Sequence, residues 1–134
     1  MKFWLVKSEP SAWSWDDQVK AGTTNWSGVR NHQAANNLKA MKKGDRAFFY
    51  HSNEGKEIVG IVEIANEAYP DPSDKTGKFV MVDVKAVKKL AAPVTLAQIK
   101  ATPALREMAL IRQSRLSVMP VTAAEWAVIT KLGG

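Results

Sequence analysis

At 134 residues, 46% hydrophobic and 24% charged, the chain has a globular composition and the length of one domain, enough to bury about two-thirds of its unfolded surface around a single core. Nineteen Lys and Arg against 13 Asp and Glu give a net charge of +6, which favours polyanionic partners unless the clusters Lys39, Lys42, Lys43, Arg46 and Lys85, Lys88, Lys89 are only solvated faces. The lack of cysteine excludes disulfides, thiolate zinc sites and cysteine nucleophiles, and with no apolar run near the roughly 20 residues of a membrane helix and an N-terminus too quickly charged for a secretory signal, a cytoplasmic or nuclear protein is expected.

Phe3 to Lys7 reads as an apolar strand, ended by Ser8-Glu9-Pro10, since proline biases the residue before it away from helix. Ser14 and Asp17 have capping spacing for a short helix through Val19 that Gly22 stops. Thr23 to Gly28 reads as a polar loop, and Ala34, Ala35, Leu38 and Met41 recur at helical spacing over Asn31 to Met41. The turn Lys43-Gly44-Asp45 launches a buried strand, Arg46 to His51. Glu57 to Ala68 is β-rich, with Gly60 marking a bulge or barrel bend. An irregular connection over Tyr69 to Gly77 leads to a strand from Phe79 to Val87, whose slipped alternation marks a second bulge. Pro93-Val94-Thr95 introduces a helix from Leu96 to Lys100, Pro103-Ala104-Leu105 a helical turn, and Arg112 to Val118 extended structure. Thr122 and Glu125 form a capping box for a last helix, with Trp126, Ile129 and Leu132 on its buried side. The sum is an α+β fold, a mostly antiparallel barrel of five or six strands with short flanking helices.

Four of the five tryptophans fall within the first 26 residues. Trp4, on an apolar strand, and Trp126, on a capped helix, read as core. Trp26 lies among Thr23-Thr24-Asn25 and Ser27-Gly28, where an indole suits base stacking as well as packing. Strand ends and helix starts form the mouth of a barrel, which makes Lys7-Ser8, Arg30-Asn31, Tyr50-His51-Ser52 and Arg115-Leu116-Ser117 candidates for contacts with a base edge. Asn31 is equally a helix cap, and Arg30 and Arg115 are either phosphate contacts or structural partners of Glu9 or Asp71. Catalysis has little support: adjacent His51 and Ser52 point to opposite faces of a strand, and no phosphate-binding glycine loop or zinc-ligand spacing is present.

The motifs Lys7-Ser8-Glu9-Pro10, Trp26-Ser27-Gly28-Val29-Arg30-Asn31, Gly44-Asp45 with Tyr50-His51-Ser52, Tyr69-Pro70-Asp71-Pro72 and Arg115-Leu116-Ser117-Val118 resemble, in order and over nearly the whole chain, those of the EVE domain. The resemblance implies a single PUA-like domain over residues 1–134, related to the YTH and SRA readers of methylated bases. It further implies a non-catalytic reader of modified bases, in particular modified cytosine in DNA or otherwise RNA, working without cofactor or metal. By similarity to YTH proteins, Lys7, Ser8, Trp26 and Ser27 would line the base pocket, with Gly28, Val29, Arg30, Asn31, Tyr50, His51, Ser52, Arg115 and Ser117 completing the site. The family commonly has an arginine after Gln33-Ala34, where this chain has Ala35, so a phosphate contact there is expected to be weaker. A pocket for a free nucleoside or other small metabolite is the alternative, and a nucleotide-modifying enzyme a more remote one.

Overall fold

The computed structural model describes residues 1–134. Six strands form one sheet: β1 (Phe3–Ser8), β2 (Thr23–Trp26), β3 (Arg46–His51), β4 (Glu57–Pro70), β5 (Val80–Thr95) and β6 (Val118–Val121). They lie in the order β2-β5-β4-β3-β1-β6, with every neighbouring pair antiparallel except β1 and β3. The sheet is barrel-like but not closed, since β2 and β6 are both edges. Around it are α1 (Trp15–Ala21), α2 (His32–Ala40), α3 (Leu96–Ala101), α4 (Ala109–Arg112) and α5 (Ala123–Gly133). None is long and apolar enough to cross a membrane.

β3 is the middle of the core because both its edges are paired and its residues 47 to 49 are wholly buried. Phe49 receives two indoles edge-on, Trp15 at 5.4 Å and Trp26 at 5.6 Å. Phe48 stacks on Trp126, which is sandwiched against Phe3 on its other face. Gly60 faces Trp15 so closely that a Cβ there would lie 2.5 Å from the indole. Its missing side chain therefore lets α1 press onto the sheet. A register shift next to Gly60 and another between Ile61 and Val62 bend β4, as the glycine suggested.

Several expectations require correction. The segment from Thr23 is a strand rather than a loop, because its ladder partner, Val82 to Lys85, is distant in sequence. β4 and β5 run further than the sequence indicates, through Pro70 and Pro93, because each supports the other along their length. Residues 112–117 are not extended: α4 and a turn occupy them, and the strand starts at Val118. Trp126 is only half-buried, and Leu132 is 40% exposed because α5 turns it away from the sheet.

Candidate functional site

A cavity of about 450 Å³ opens beside the free edge of β2. One wall is the end of β1 and its turn: Lys7, Ser8, Glu9, Ala12 and Trp13. The other is the run Thr24 to Ser27.

Trp13 is held from three sides. The Ser8 hydroxyl donates to its carbonyl at 2.6 Å, its N–H donates to the Glu9 carbonyl at 2.9 Å, and its indole N–H donates to Gln18 Oε1 at 2.9 Å. Gln18 is itself fully buried and donates through Nε2 to the carbonyls of Gly22 and Val84. That amide is satisfied only while Trp13 stays in place, which fixes the indole at the cavity wall. The capping box of Ser14 and Asp17 starts α1 immediately afterwards, so the turn cannot slide. Trp26, opposite, is 9% exposed and belongs to the core cluster, while one part of it reaches the cavity.

Lys7 has no carboxylate partner. Its ammonium donates to the Ser114 carbonyl at 2.9 Å and lies 5.8 Å from the Tyr50 ring centroid. Burial lowers its pKa from the usual lysine value. It also borders a smaller cavity of about 210 Å³, shared with Tyr50, Ser52 and Lys56. Burial raises the pKa of Tyr50.

The expected site residues thus separate into groups. Lys7, Ser8, Trp26 and Ser27 meet at the larger cavity, and Lys7, Tyr50 and Ser52 at the smaller. Gly28, Val29, Arg30 and Asn31 turn away from both. Asp71, buried, accepts from the Gly28 N–H at 2.8 Å and from Arg30 Nη1 at 3.3 Å. Burial opposes its ionisation, but the bonds from Ser73, Gly28 and Arg30 hold its pKa at about 2. Gly28 reaches this carboxylate at a φ of +81°, in the left-handed region that suits glycine. Val29 is core, and the Asn31 side chain caps α2 by accepting from the Ala34 N–H. Arg30 is therefore a structural partner of Asp71, and Asn31 a cap. His51 is engaged too: its Nε2 accepts from the Trp15 N–H at 3.1 Å. Arg115 is exposed and Ser117 half-buried, and neither lines these cavities.

Sequence reasoning missed Trp13, Thr24 and Asn25. The concentration of tryptophans before residue 27 pointed to this region, but only the Ser8 and Gln18 contacts fix Trp13 at the cavity wall.

The EVE domain profile matches residues 2–132. Human thymocyte nuclear protein 1 is 39% identical over 164 aligned positions, spanning 96% of this chain and 72% of that protein. Among solved structures, the NMR structure of Rpa0253 from Rhodopseudomonas palustris is 63% identical with a TM-score of 0.95, covering 100% of this chain and 94% of that one. The crystal structure of human THYN1 protein in complex with 5-methylcytosine containing DNA is 37% identical with a TM-score of 0.91, covering 99% of this chain and 98% of the other. With the profile matching residues 2–132 and these likenesses running along nearly the full length, this chain belongs to the EVE domain family.

Proposed function

We propose that this protein is a non-catalytic reader of modified cytosine in DNA, which holds one extruded base in the cavity between the β1–α1 turn and β2. The observation that carries the reading is the meeting of two indoles, Trp13 and Trp26, with the unpaired cation Lys7 around one open cavity of about 450 Å³. That volume is in the range of small-molecule pockets, and two indoles set among the polar residues Lys7, Ser8, Glu9, Thr24, Asn25 and Ser27 suit a flat heterocycle with a hydrogen-bonding edge. The relative solved with 5-methylcytosine containing DNA and the net charge of +6 support a DNA partner.

Turning a base out of a duplex costs a few kcal/mol. Stacking on an indole returns about 1 to 3 kcal/mol per base, and Lys7, poorly solvated without a counter-charge, gains from an approaching phosphate. A methyl group in a fitted slot adds roughly another 1 to 3 kcal/mol, a preference of about tenfold to 200-fold. The absence of chemistry is supported by His51, the histidine nearest this region, whose Nε2 is committed to a backbone N–H and so is not free to take a substrate proton.

Fluorescence polarisation with 5-methylcytosine and cytosine oligonucleotides at several salt concentrations tests this. The methylated strand should bind about tenfold or more tightly, and both affinities should fall as salt rises. Tight, salt-independent binding of free 5-methyldeoxycytidine with no gain from the polymer would replace the reading by a nucleoside pocket. A time-dependent change in oligonucleotide mass, abolished by His51→Ala, would replace it by an enzyme.

A further inference from the structure

The larger cavity is lined by four consecutive residues of the chain, Thr24, Asn25, Trp26 and Ser27. Side chains along a strand alternate between faces, so a cavity lying against one face would meet every second residue. Contact with all four means that the cavity meets β2 edge-on.

The polarity of that edge follows from the ladder. In an antiparallel pair, residues alternate between those that bond to the partner and those whose N–H and C=O point to the opposite side. On β5, the Ala86 N–H donates to the Gly22 carbonyl, while the Phe79 carbonyl, just before β5, accepts from Asp71 on the β4 side. Even-numbered β5 residues therefore bond towards β2 and odd-numbered ones towards β4. With the register Thr24↔Val84 and Trp26↔Val82, the main chains of Thr24 and Trp26 are used by β5, and those of Thr23 and Asn25 are turned outward. β2 has no other neighbour in the sheet, and neither Thr23 nor Asn25 takes part in any hydrogen bond outside the ladders. Asn25 is exposed and borders the cavity.

We propose that this free peptide edge reads the base: the Asn25 N–H donates to cytosine N3 while the Asn25 carbonyl accepts from the N4 amino group. The proposal rests on the reading of the cavity as a base pocket. An adjacent main-chain donor and acceptor match the adjacent acceptor and donor of the cytosine edge. Thymine carries the same two functions in reversed order at N3 and O4. It therefore matches the edge only when turned over, which reverses the direction of its bond to the sugar, or when displaced by one position so that O2 and N3 face Asn25, which moves its C5 methyl group and its sugar bond out of place. The strand direction of β2 thereby distinguishes 5-methylcytosine from thymine, although both carry the C5 methyl group. Main-chain reading also explains how a four-residue edge strand without a charged side chain contributes specificity.

The test uses single-stranded oligonucleotides, so that pairing strength does not enter, each with one 5-methylcytosine, one thymine or one 5-methyl-2-pyrimidinone, which lacks only the amino group. Amide hydrogen exchange of the wild-type protein is followed by NMR. Without DNA, the Asn25 amide should exchange fast and the Thr24 and Trp26 amides slowly; with the 5-methylcytosine strand, Asn25 should become protected. Thymine and the pyrimidinone should each bind about tenfold or more weakly, as loss of a paired edge contact predicts. Asn25→Pro removes the N–H at a position where the ladder does not need it and where an edge strand tolerates proline. It should lose about tenfold or more of the 5-methylcytosine affinity. If the wild type binds the methylated strand but Asn25 keeps exchanging fast, or the pyrimidinone binds equally well, the proposal is overturned; both measurements stand even if Asn25→Pro fails to fold. An Asn25 amide protected before DNA is added, increasingly so with protein concentration, overturns it in favour of edge pairing with a second copy. No binding to any strand is a different result, which fails the base-pocket reading and takes this proposal with it.

Discussion

Trp13 and Trp26 flank the same cavity and should answer mutation differently. Trp26 packs edge-on against Phe49 and is 9% exposed, so Trp26→Ala should cost about 3 to 5 kcal/mol of folding free energy, as truncation of a buried aromatic does. Trp13 is half-buried against the core, and its loss removes that packing and leaves the oxygen of the buried Gln18 amide without its donor. Trp13→Ala should therefore cost about 1 to 3 kcal/mol of stability, less than Trp26→Ala, and about 1 to 3 kcal/mol of binding to a methylated oligonucleotide. Urea unfolding and polarisation titrations on the two variants separate these roles. Normal binding by a folded Trp13→Ala protein would place the stacking surface elsewhere. At Asp71, replacement by Ala leaves the Gly28 N–H without its acceptor and frees Arg30; the expected loss is about 1 to 3 kcal/mol.

At the scale of elements, the contact between α1 and the sheet decides where the cavity wall stands. Gly60→Ala puts a methyl group 2.5 Å from the Trp15 ring, and overpacking of this kind costs about 1 to 3 kcal/mol. Trp15→Leu in the same protein should recover part of that loss, a coupling that a double-mutant cycle of urea midpoints measures; strict additivity would mean that the two groups do not press on each other. Which elements could be read from the sequence follows the range of the interactions behind them. The helix starts at Ser14 and Thr122 rest on contacts three residues apart and were legible, as was the buried run Ala47 to Tyr50. Thr23 to Trp26 was not, since polar Thr-Thr-Asn becomes a strand only because Val82 to Lys85 waits beside it. The site was legible to the same extent: Lys7-Ser8 and Trp26-Ser27 do meet at one cavity, but Trp13 enters through the buried Gln18, a partner that no motif announces. Opposite charges at 30 and 71 make their pairing one of the readings the sequence allows; that they are paired rests on the Gly28 and Ser73 bonds that hold Asp71 still.

Over the whole molecule, the titrating groups define the pH range in which the fold is stable. His51 is neutral in the fold: burial lowers its pKa below the ordinary 6.5, against the weaker opposing pull of Glu57 and Asp16, and its ring nitrogen accepts from the Trp15 N–H. The unfolded chain binds that proton more readily, so the contribution of His51 is complete above about pH 6.5 and is lost as pH falls through the lower folded value. The depressed carboxylates act in the same direction further down. Asp71 and Asp74 have pKa values of about 2, and Asp45, opposed by burial, is still lowered by bonds from Lys42, Trp4 and Lys2. Their stabilisation is present above the ordinary carboxylate value and disappears as pH drops towards about 2. On the alkaline side, the hydrogen bond to Asp83 raises Tyr69 to about 12, a contribution complete below about pH 10 and lost as pH rises through the folded value. Lys7, lowered by burial, works the other way: its buried charge costs stability at neutral pH, and the cost fades towards its ordinary 10.5. The urea midpoint should therefore be flat from about pH 7 to 9, step down below about 6.5, and fall again below about 4. His51→Gln keeps an acceptor for the Trp15 N–H without a titrating ring, so it should remove the first step and leave the second. A wild-type midpoint unchanged between pH 7 and 5, or a step that survives in His51→Gln, would show that the ring nitrogen is not what ties β3 to the start of α1.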